Sequence, residues 1–161
     1  MIRCGIIGLG KMGISHYAIV NAHPSVEVVG VCDTSNLILT FLSKVSNANI
    51  NVYNDYREML GSCRLDCVIV ATPTSSHAKI VNDCMERNLH VFIEKPFCLS
   101  ITEGKKMVDV ATTKKLINQV GFHNRFIATF QKAKEIVTSG ALGEIYHFTG
   151  EAYGPVVLKP K

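Results

Sequence analysis

The sequence predicts a doubly wound α/β domain, and three observations carry that prediction. Short segments rich in Val, Ile and Cys alternate with helical patterns along most of the chain. Those segments are near-continuously apolar, the mark of a parallel sheet covered on both faces. A Gly-x-Gly-x-x-Gly run stands where the first such segment gives way to a helix.

The elements follow in order. "IRCGIIG" (2–8) reads as a strand, and a helix over 11–22 ends ahead of Pro24. "VEVVGVCD" (26–33) is a second strand, with a helix over 35–46 behind it. "INVY" (50–53) is a weak third strand, followed by a short helix to Gly61. "DCVIVAT" (66–72) is a fourth, and the helix over 75–87 carries Val81, Cys84 and Met85 on one face. "LHVFIE" (89–94), a helix over 100–114 and "LINQVGF" (116–122) complete the set. Strand–helix repeats with right-handed crossovers wind such a sheet from its middle outward.

The character changes near residue 122. "NRFIATFQKAKEIVTSGALG" reads as a helix with Phe126, Phe130, Ala133 and Val137 on one stripe and Gly140 at its end. "GEIYHFTGEAYG" alternates as a strand does. The expectation is a first domain over 1–121 and the opening of a second, α+β domain over 122–161.

Composition narrows the function. Of 161 residues 47% are hydrophobic and 19% charged, which suits a globular chain with a core rather than a disordered one. The net charge is +4, but the basic residues are scattered, and Lys105-Lys106 and Lys114-Lys115 are too short to mark a nucleic-acid surface. No apolar run is long enough to cross a membrane, and "MIRCGIIGLG" reaches glycine before a signal-peptide core could form. Cys4, Cys32, Cys63, Cys67, Cys84 and Cys98 sit mostly among apolar residues and form no C-x-x-C pair. They read as free core thiols in a reducing cytoplasm, with no metal site.

The glycine run is Gly8-Leu9-Gly10-Lys11-Met12-Gly13. Between a strand and a helix it is a Rossmann-type dinucleotide fingerprint. Gly8 permits the tight turn, Gly10 lets a pyrophosphate approach the backbone, and Gly13 lets the helix lie on the strand. The helix N-terminus then offers amides to the phosphates. Asp33 lies twenty residues beyond Gly13, at the end of the second strand. It can accept an adenosine ribose's hydroxyls and would repel a 2′-phosphate. No Arg or Lys follows in "DTSNLIL", so NAD is favoured over NADP. The alternative role for Asp33 is a turn or N-cap residue.

"ATPTSSH" follows the fourth strand, placing Ala71, Thr72 and Pro73 at the carboxyl edge where ligands bind in such sheets. Thr74 or Ser75 is expected to cap the next helix. His77 either reaches the dinucleotide or closes the first helical turn. The fifth strand ends in Glu94-Lys95-Pro96 at the same edge. Both charges are therefore expected in the crevice rather than in the core.

"GLGKMG", "CDTS", "ATPTSSH", "EKPF" and "GFHNRF…GALGEIYHF", in this order, resemble the glucose-fructose oxidoreductase/inositol dehydrogenase/MocA family. The resemblance implies an NAD-dependent oxidoreductase moving hydride between the nicotinamide and a secondary alcohol of a sugar, inositol or sugar nucleotide. It implies that Lys95 lies beside the nicotinamide and takes part in proton transfer or substrate binding. Glu94 would orient the cofactor ribose, Pro96 would set the turn with a cis Lys95–Pro96 bond allowed, and Asn124 and Arg125 would border cofactor and substrate. Full-length relatives are longer and homo-oligomeric. Their acid-base His, often in an Asp-x-x-His motif, has no counterpart here, since His147 falls too early. These 161 residues then read as the cofactor half with a catalytic half only begun. A second reading, from another class, is a dinucleotide-binding sensor of the same family without catalysis.

Overall fold

The computed structural model describes residues 1–45 and 50–151. Six parallel strands form one sheet in the order β3-β2-β1-β4-β5-β6. They are β1 (Ile2–Ile7), β2 (Val26–Cys32), β3 (Asn51–Tyr53), β4 (Cys67–Val70), β5 (His90–Ile93) and β6 (Asn118–Val120). The helices between them are α1 (Lys11–Asn21), α2 (Asn36–Val45), α3 (Tyr56–Ser62), α4 (His77–Glu86) and α5 (Ile101–Thr113). The chain divides into two units, Met1–Phe122 and His123–Lys161.

In the first unit successive side chains of each central strand go to opposite faces. Ile7, Val68, Val70, Val91 and Ile93 pack with Met59 of α3, Val81 and Cys84 of α4, and Met107 of α5. Cys4, Ile6, Val28, Val31 and Ile69 form the other layer, with Tyr17 and Val20 of α1 and Leu39 of α2 against them. Fully buried Met59 needs a trough in the sheet. Gly5 and Gly30 supply it, since a Cβ on either would come within 3.1–3.2 Å of the Met59 side chain.

Local chemistry ends the helices where the strands must begin. Asp55 accepts the Arg57 amide at 2.8 Å and Ser100 the Glu103 amide at 3.4 Å, N-capping α3 and α5. Asn88 and Lys115, at φ 60° and 55°, turn the chain out of α4 and α5. Lys114 reaches across with Nζ to donate to the Met85 and Glu86 carbonyls at 2.9 and 3.0 Å, meeting the negative end of α4. Burial pushes the Cys32 and Cys84 thiols up to about 12, so both remain neutral core groups.

Two expectations are corrected. Neither Thr74 nor Ser75 caps α4. A short 3₁₀ turn (Thr74–Ser76) precedes it, and the Ser76 hydroxyl donates to Pro73 O at 2.7 Å. The second unit opens on a 3₁₀ turn (His123–Phe126) and then α6 (Ala128–Thr138), which Gly140 ends at φ +75°. The expected strand after it is absent among the described residues: 144–151 pair with no neighbour. A strand is stable only beside another, and alternation alone does not provide one. The end of that expected strand, from residue 152 on, lies outside the described residues.

At the amino edge of the sheet Arg3 holds Asp66. The Arg3 amide and Nε donate to Oδ2 at 2.8 and 3.1 Å, and the guanidinium meets Oδ1 at 2.6 Å. These bonds hold the Asp66 carboxyl at about 2, below its ordinary 3.8. A lowered folded-state value contributes stability above the ordinary value and loses it as the pH falls. Asp66→Asn should lower the thermal midpoint at neutral pH. It should also flatten the midpoint-versus-pH curve between about 4 and 2, measured by circular dichroism.

Candidate functional site

Four carboxyl-edge loops leave the sheet together. Gly8 N donates to Cys32 O, Ala71 N to Ile7 O, Glu94 N to Val70 O and Gly121 N to Ile93 O, all at 2.8–2.9 Å. Each loop is thus pinned to the strand beside it, and the glycine run leaves β1, the third of the six strands across the sheet.

The glycines answer different constraints. Gly8 has φ +91°, and a Cβ there would come within 2.7 Å of the Ala71 backbone. A Cβ on Gly13 would collide with the Gly8 carbonyl oxygen. Gly10 is different: its φ is −65°, open to any residue, and a Cβ there would meet nothing within 4 Å. Protein contacts therefore leave position 10 free. An open backbone of that kind is what the approach of a pyrophosphate requires. Gly10 is also the N-cap of α1, with no side-chain cap. The amides ahead of Ile14, which donates to Gly10 O, have no intrahelical acceptor and are the groups a helix N-terminus offers to an anion. Leu9 is fully buried as a side chain, while Lys11 and Met12 are exposed on the first turn.

Of the two roles the sequence left open for Asp33, the structure shows the turn. Asp33 Oδ2 accepts the Leu9 amide at 2.6 Å and its Oδ1 the Ser35 amide at 2.8 Å. It therefore braces the glycine loop and shapes the turn after β2. A carboxylate has about four acceptor positions, so two remain for ribose hydroxyls. Ala71 and Thr72 are half-buried and Pro73 is exposed on the adjoining loop.

His77 is a structural residue, and the dinucleotide alternative is corrected. It is fully buried. One ring nitrogen, Nε2, lies 2.8 Å from Thr72 O, and Nδ1 lies 3.0 Å from Pro96 O. The ring ties the loop after β4 to the loop after β5.

Glu94 is also corrected: it is buried, not open to the crevice. Both carboxyl oxygens are hydrogen-bonded. His16 Nε2–H donates to Glu94 Oε1 at 2.8 Å, and the Lys95 amide donates to Oε2 at 3.1 Å. Lys95 itself is exposed, and the Lys95–Pro96 bond is cis. His16 was not singled out in the sequence. Its only signal is its place three residues beyond Gly13, on the turn of α1 that follows the glycine loop. Asn124 and Arg125 lie in the 3₁₀ turn that opens the second unit, both exposed.

A glycine loop at a strand-to-helix junction, an acidic residue ending the next strand, and room over Gly10 define a dinucleotide-binding domain. Residues 2–122 match the GFO_IDH_MocA family, described as an oxidoreductase family with an NAD-binding Rossmann fold, and the chain belongs to it. It is 29% identical over 144 residues, 89% of its length, to the rhizopine catabolism protein MocA of Rhizobium meliloti. It is 30% identical over 151 residues, 92% of its length, to scyllo-inositol 2-dehydrogenase (NAD(+)) of Bacillus subtilis. The chain spans 44% of the length of each. Among solved structures, the WlbA dehydrogenase of Bordetella pertussis, crystallised with NADH and UDP-GlcNAcA, superposes with a TM-score of 0.83 at 27% identity. That match covers 90% of this chain and 44% of that one.

Gly10→Ala and Gly13→Ala separate ligand room from fold. Gly10→Ala should keep the unfolding free energy within about 1 kcal/mol yet weaken NADH binding roughly tenfold or more. Gly13→Ala should cost about 3 kcal/mol or more, because backbone cannot yield as a side chain can. Urea unfolding and NADH fluorescence titration of each variant check both.

Proposed function

We propose that this chain is the cofactor-binding part of an NAD-dependent oxidoreductase acting on a secondary alcohol of an inositol, a sugar or a sugar nucleotide. The observation that carries the reading is the delivery of Lys95, exposed, on a loop bonded through Glu94 to the helix that starts at the glycine run. The relatives support the substrate class: one is a scyllo-inositol dehydrogenase, and another was crystallised with a UDP-sugar.

When bound, the nicotinamide supplies the hydride acceptor. The chain's own groups do the rest. The first-turn amides of α1 and the room over Gly10 take the pyrophosphate. Asp33 takes the adenosine ribose and, with no cation in "DTSNLIL", disfavours a 2′-phosphate. Lys95 Nζ stands beside the substrate hydroxyl, offsets the charge that grows on its oxygen, and takes its proton as it gives one of its own to solvent water. Ala71, Thr72 and Pro73 wall the crevice. The second unit opens a substrate and oligomerisation domain, with Asn124 and Arg125 at its threshold. The free thiols favour a reducing cytoplasm as the protein's place of work. No described helix is long and apolar enough to cross a membrane.

The test is a screen of inositols, aldoses and UDP-sugars for NAD reduction by the chain and by Lys95→Ala. Turnover that falls roughly a hundredfold or more in the variant, with NADH affinity within about twofold, supports the assignment. Equal turnover overturns the role of Lys95. NADH binding without turnover on any class favours the sensor reading.

A further inference from the structure

We propose that His16 is a positioning residue: from α1, through Glu94, it sets the Lys95 turn. The inference rests on the dinucleotide reading above for its functional half, and on geometry alone for its structural half.

Glu94 is buried and must have each oxygen satisfied. The protein supplies one donor to each. Lys95 N–H serves Oε2, a bond within the turn itself. Oε1 is served from across the fold by His16 Nε2–H, on α1. The imidazole is held for this task, its ring edge-on to Phe92 of β5 with centroids 4.9 Å apart. Gly121 contributes by absence: a Cβ there would press on Glu94 Oε1 at 3.2 Å. Glu94 therefore has one position, and the Lys95 backbone is bonded to it.

The consequence follows from where α1 begins. Gly13 touches Gly8 of the glycine loop, and His16 lies one turn further along the same helix. With His16 removed, Oε1 loses its donor, the carboxylate turns toward water, and the Lys95 amide loses its acceptor. The adenosine end of the site keeps its hydrogen bonds, because Asp33, Leu9 and Gly10 bond to Ser35, to Ile14 and to one another, not to this pair. The effect should thus fall on the nicotinamide end alone.

The test uses the 161-residue chain, ¹⁵N-labelled, as wild type, His16→Leu and His16→Gln. Leucine keeps the bulk without the donor, while glutamine restores an N–H. Hydrogen exchange at the Lys95 amide should quicken roughly tenfold in His16→Leu and return toward wild type in His16→Gln, with Val91 and Ile93 unchanged in all three. NADH affinity should fall roughly tenfold in His16→Leu while ADP-ribose affinity stays within about twofold. Unaltered Lys95 exchange overturns the proposal. So does exchange that quickens equally at Val91 and Ile93, or equal loss of NADH and ADP-ribose, because either marks a residue that merely stabilises the fold. If wild type binds neither ligand, the dinucleotide reading fails, and Lys95 exchange alone decides the positioning claim.

Discussion

Everything at this site depends on backbone touching backbone where α1 meets the sheet. Gly13 lies against the Gly8 carbonyl, and Gly8 lies against Ala71. Only side-chain-free positions allow that approach, and it draws the helix down onto the carboxyl edges of β1 and β4. Two results follow from one contact. The α1 amides come level with the loops that line the crevice, and the next turn of α1 brings His16 to Glu94.

The three glycines are one motif in the sequence and three constraints in the structure. Position 8 needs a positive φ, position 13 needs closeness, and position 10 needs neither from the protein. That contrast leaves the backbone at position 10 open to the approach of a pyrophosphate, as the fingerprint requires. Asp33 shows a similar economy: one carboxylate braces Leu9, shapes the turn at Ser35 and keeps acceptor capacity toward the crevice.

Much of this was legible before any coordinates. The apolar runs mark the strands because a doubly covered sheet makes them continuous, and the loop with Asp33 is visible through spacing. What escaped depends on partners distant in sequence. His77 offers no clue that its two nitrogens meet carbonyls from different loops. Glu94 looks like a crevice charge until α1 supplies His16 seventy-eight residues away. The alternation after Gly143 resembles a strand, but pairing is a property of two segments, and one segment cannot reveal it.

The central claim is that the edge built around Gly8, Gly10, Gly13 and Asp33 holds NAD. Fluorescence titration of the chain with NADH and with NADPH tests it most directly. The account predicts saturable NADH binding with NADPH roughly tenfold weaker or more, since Asp33 would face the 2′-phosphate with no cation to offset it. Saturation by neither, or equal affinity for both, would contradict it.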